Sequence, residues 1–137
     1  MNFGLWEIFR ERLIAAYAPD EESVIGRLIA EADVLEAEKA TLQKPYTAAA
    51  NRVRELETVI LKPRTPNVRL AAPEAADLQQ HAAELVETRQ TLEQLAHGLT
   101  RRTARVRDIQ SEIGSLLLDT TIEEEAKRRE RERLLRA

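Results

Sequence analysis

The chain has 137 residues and a net charge of −3 from 21 basic and 24 acidic side chains, with 43% hydrophobic but only 4% aromatic residues and no cysteine. That composition excludes a disulfide framework, thiolate metal sites and a cysteine nucleophile, and it argues against a β-sandwich, which needs Gly-rich turns and more aromatic residues. No apolar run approaches the roughly 20 residues that span a bilayer, and the start lacks a basic region and a small-residue cleavage site, so the expectation is a soluble, cytoplasmic, all-α protein.

The bias of 17 Arg to 4 Lys, with 20 Ala, points to a GC-rich genome, and hence to a bacterium, phage or plasmid. Leu, Ala, Glu and Arg dominate, as they do in long helices and coiled coils.

Residues 1–18 predict a short amphipathic helix stopped by Pro19 and Asp20, and they hold four of the five aromatic residues. Leu5, Trp6, Ile8, Phe9 and Leu13 make a wide apolar face, while Glu7, Arg10, Glu11 and Arg12 mark the wet one. Phe3, Leu5, Trp6, Phe9, Leu13 and Tyr17 are therefore the candidate partner-binding residues. Three destinations compete for this helix: packing on its own chain or on another copy, a groove in a partner protein, or a membrane interface. Its charge-neutral polar face weighs against the membrane.

Residues 19–118 predict a long antiparallel two-helix coiled-coil hairpin. Its first helix runs over 21–61, its turn is the proline-rich 62–73, and its second helix resumes at Glu74 and continues to about Leu118. Leu28, Leu35, Leu42, Ala49 and Leu56 repeat every seven residues, accompanied by Ile25, Ala32, Lys39, Tyr46, Val53 and Ile60. The second helix repeats Leu78, Leu85, Leu92, Leu99, Val106 and Ile113. A turn centred near residue 67 sets Leu56 opposite Leu78, Ala49 opposite Leu85, Leu42 opposite Leu92, Leu35 opposite Leu99 and Leu28 opposite Val106. The same register places Glu31, Glu36 and Glu38 against Arg101, Arg102, Arg105 and Arg107. Pro45 removes one helical hydrogen bond, yet the heptads run through it, which predicts a kink rather than a break.

Residues 119–137 predict a separate charged helix starting after Asp119-Thr120-Thr121, with Thr121 and Glu124 at capping-box spacing. Glu123–Lys127, Glu124–Arg128 and Glu125–Arg129 are successive i,i+4 pairs in the favourable orientation. Ile122, Ala126, Leu134 and Leu135 leave one apolar edge in need of company.

The inventory for chemistry is thin. His81 and His97 have no second ligand at metal spacing. Phosphate-cradling glycine loops, G-x-S-x-G and H-E-x-x-H are all missing from the sequence. The expectation is no catalytic residue, no cofactor, no metal and no enzyme. Lys62, Arg64 and Arg69 give the hairpin turn a basic tip that suits a phosphate backbone, although most charged turns are simply solvated.

In outline the hairpin resembles secretion-system stalk proteins, transcription factors that enter the polymerase channel, and phage assembly adaptors. That likeness is architectural only, and a basic tip departs from the acidic tips of the channel-entering group. The sequence thus favours a structural or adaptor subunit acting through a protein partner or a homo-oligomer. Nucleic-acid binding through the tip, or membrane binding through the first helix, are the alternatives.

Overall fold

The computed structural model describes residues 4–63 and 70–136. They form three helices, α1 (Leu5–Tyr17), α2 (Val24–Ile60) and α3 (Ala72–Arg136), with no strand among the described residues. α2 and α3 pack against each other as a helical hairpin. The chain divides into two compact units: residues up to Ala37 together with those from Arg102 onward, and Glu38–Arg101.

Local chemistry sets the joint between α1 and α2. Ala18 takes a left-handed conformation (φ 39°, ψ 57°), and its N–H donates to the Ile14 carbonyl at 2.9 Å, closing α1 one residue before Pro19. α2 begins three residues later than the pattern predicts, because Ser23 caps it. Its hydroxyl accepts from the Gly26 N–H at 3.0 Å and donates to the Asp20 carbonyl at 2.5 Å. Gly26 is required by close approach: a β-carbon there would collide with the Asp20 carbonyl and the backbone of Glu21.

α2 is helical through Pro45, which is exposed. α3 starts at Ala72 rather than Glu74, with Pro73 in the first turn, where its missing N–H would have no intrahelical partner anyway. The helix expected to begin after residues 119–121 is a direct continuation of α3. Thr120 and Thr121 do not cap a new start; their hydroxyls donate back to the carbonyls of Leu116 and Leu117 at 2.9 and 2.8 Å. With no proline or glycine at the junction, nothing ends the helix.

In the unit holding α1, Trp6, Leu13, Ile29, Ala32, Val106, Ile109 and Ile113 form one buried cluster. In the other unit Val53, Leu56 and Leu85 are buried together, with Ile60 and Leu92 against them. Ala49, the partner expected for Leu85, is buried as well, and the neighbouring cross-helix pair of Arg52 with Glu84 lies within two residues of the expected register.

The predicted pairing of glutamates with arginines holds for Glu31 and Arg105, joined by two hydrogen bonds of 2.8 and 2.9 Å. Arg52 grips Glu84 with bonds of 2.7 and 2.9 Å and reaches Glu55 at 3.1 Å, and Arg89 meets Glu57 at 2.8 Å. The guanidinium of Arg52 beside Glu84, and that of Arg105 beside Glu31, hold both carboxyls below the usual glutamate range.

Candidate interaction surface on the first helix

Helical periodicity separates the α1 side chains into an inner and an outer set. Trp6 and Leu13, seven residues apart, face inward and are 3% and 4% exposed. The Trp6 indole N–H donates to Asp33 Oδ1 at 2.9 Å, and the Arg10 guanidinium donates to the other oxygen of that carboxylate at 3.0 Å. One carboxylate on α2 thus takes two donors from successive turns of α1, satisfying the indole and fixing the helix's rotation. The rings of Trp6 and Phe9 lie 5.8 Å apart at 34°.

The outer set is different. Leu5 is 82% exposed and Tyr17 56% exposed, and Ile8 and Ile14 are exposed as well. Leu5, Ile8, Phe9 and Arg12 from α1, together with Leu117 from α3, line an open groove of about 400 Å³ that Ala16 and Tyr17 continue. Arg12 is the one charged residue among its lining residues. The groove is thus an exposed apolar surface with an aromatic and an arginine at its margin.

The sequence candidates are therefore split. Trp6 and Leu13 belong to the core, Phe9 is half-buried between core and groove, Leu5 and Tyr17 face outward, and Phe3 lies outside the described residues. Of the basic tip, Lys62 is exposed in an open hollow that it lines with Arg54, Glu57, Thr58, Leu61 and Pro63, while Arg64 and Arg69 lie outside the described residues. His97 is exposed and His81 half-buried on α3, and the described residues contain no cluster of three or more potential metal ligands. No helix among them is long and apolar enough to cross a membrane.

Sequence reasoning missed Asp33 and Leu117. Asp33 sits one place beyond a heptad position, where an acidic residue is ordinary. Its role follows only from Trp6 and Arg10 being one turn apart on α1 and both in need of an acceptor. The chain matches no known protein family, no curated protein and no solved structure.

Proposed function

We propose that this chain is a non-enzymatic structural or adaptor subunit that assembles with protein through the outer face of α1. The observation that carries this reading is the division of α1 itself. Trp6, Arg10 and Leu13 anchor the helix rigidly on its own chain, and Leu5, Ile8 and Tyr17 are left outside, beside Leu117. A preorganised apolar face loses little conformational entropy when a partner covers it. Tyr and Arg at its margin are the residue types that most often carry binding energy.

The test is a cross-linked capture from the source cell, comparing wild type with the Leu5→Glu, Tyr17→Glu double variant. Both positions are exposed, so the variant keeps the fold, and its circular dichroism checks that. The expected result is a stoichiometric protein complex with wild type that the variant loses. A complex that survives the double variant unchanged overturns the reading. Trp6→Glu is not a usable probe, since it would unfold α1 from the core.

A further inference from the structure

The groove on α1 and the end of α3 lie on the same compact unit, and each lacks what the other offers. Beyond Leu117, every described residue of α3 is exposed, from Leu118 to Arg136. That end of α3 packs on nothing among the described residues, so it is held only by its own helical hydrogen bonds and by exposed i,i+4 pairs such as Arg129–Glu125 at 2.9 Å. Leu118, Ile122 and Ala126 are spaced four apart and share one face, an apolar edge with nothing against it. Asp119 and Glu123 border that edge, and no basic residue occurs between Leu118 and Ala126. The groove is apolar with a single arginine, Arg12. Among the described residues Arg12 makes no ion pair.

We infer that the occupant of the α1 groove is the 118–126 segment of a second copy of this chain, exchanged reciprocally to give a two-fold dimer. Apolar edge meets apolar groove, and Asp119 and Glu123 of one copy approach Arg12 of the other. The contact cannot form within one chain. Leu117 lines the groove and Leu118 begins the edge on the same unbroken helix, so the edge would have to leave that helix to turn back. A reciprocal exchange buries two grooves and two edges at once, which is how an isologous interface doubles a modest patch. This rests on the assembly reading above and names its partner.

Sedimentation velocity from low micromolar to several hundred micromolar chain tests it. Wild type should form a dimer. Leu5→Glu in the groove and Ile122→Glu on the edge should each give a monomer with unchanged helical content. Arg12→Glu should weaken dimerisation by about tenfold or more, and adding Asp119→Arg and Glu123→Arg to it should restore the dimer. That rescue cannot be imitated by a variant that merely misfolds. A wild type that stays monomeric throughout overturns the inference. So does a dimer broken by Ile122→Glu but not by Leu5→Glu, since the end of α3 would then be pairing with itself. A monomer that still loses a captured partner through Leu5→Glu, Tyr17→Glu overturns self-pairing and leaves the assembly reading standing.

Discussion

Two parts of this molecule bury apolar side chains with different numbers of helices. Where α1 joins α2 and α3, Ala32, Ile109 and Ile113 are wholly out of contact with water. In the unit built from α2 and α3 alone, Leu56 is the one side chain nearly so, and partly buried residues border both cores, Ile60 and Leu92 here and Phe9, Ile25, Leu28, Leu35 and Leu117 there. Two helices share a single seam, and side chains at its margin stay open to solvent on one side. A third helix laid across that margin closes it, and Trp6 is the side chain that does so. α1 is thus a wall of the core. Its exposed residues are what remains after the wall is built.

The largest effects should come from taking that wall away. Trp6→Ala removes the indole from the core and leaves Asp33 with one donor instead of two, an expected loss of about 3–5 kcal/mol. Leu56→Ala, in the two-helix seam, should cost less, about 2–3 kcal/mol, because exposed neighbours can relax into the space. Urea unfolding followed by circular dichroism measures both. A larger cost for Leu56→Ala would mean that the third helix is not what seals the core.

A smaller pair of effects sharpens the comparison within the α1 unit, where two glycines sit in helices for opposite reasons. Gly26→Ala drives a methyl group into the backbone of the Asp20–Glu21 turn and should destabilise by about 1–3 kcal/mol. Gly114→Ala meets nothing within 4 Å on α3 and should stabilise by about 0.5–1 kcal/mol through helix propensity alone. Opposite signs from one chemical change would locate the turn contact. The same sign at both positions would mean that the α1–α2 turn yields without cost.

Most of the fold is written in repetition. The seven-residue rows of Leu and Ala, three prolines between residues 63 and 73, and Pro19 after an apolar run suffice to give two long helices, a reversal and a short leading helix. What depends on single partners is not legible in this way. The close of α1 at Ala18 and the start of α2 at Ser23 depend on the Ala18–Ile14 bond and on the Ser23 hydroxyl, and repeats do not encode them. The continuity of α3 past Asp119 turned on two threonine hydroxyls bonding backward rather than capping forward, and their sequence context permits both. For the surface, an aromatic-rich amphipathic helix announces itself, but sorting Trp6 and Leu13 inward from Leu5 and Tyr17 outward needs Asp33, which a pattern of hydrophobicity does not weigh.

The smallest expected effects concern the ion pairs, which occur in both units. The seam of the two-helix unit is flanked by Arg52 with Glu84 and Glu55, and by Arg89 with Glu57, all exposed. The α1 unit has Arg105 with Glu31 and Glu112, and Arg10 with Asp33. Glu31 and Glu84 bind protons more weakly when folded than when unfolded, because a guanidinium stabilises each charged carboxylate. Their contribution is therefore complete above the ordinary glutamate range and lost as pH falls through and below it. Thermal midpoints should be level from neutral pH down to about 5 and then decline, with Glu84→Gln reducing the decline. Exposed pairs are also screened by salt. At constant pH, added salt should raise amide exchange beside Arg52, Glu84 and Arg89 more than around Ile109 and Ile113, which are wholly buried and held by packing. Equal acceleration in both would show that apolar contact, rather than charge, sets the difference between a two-helix seam and a three-helix core.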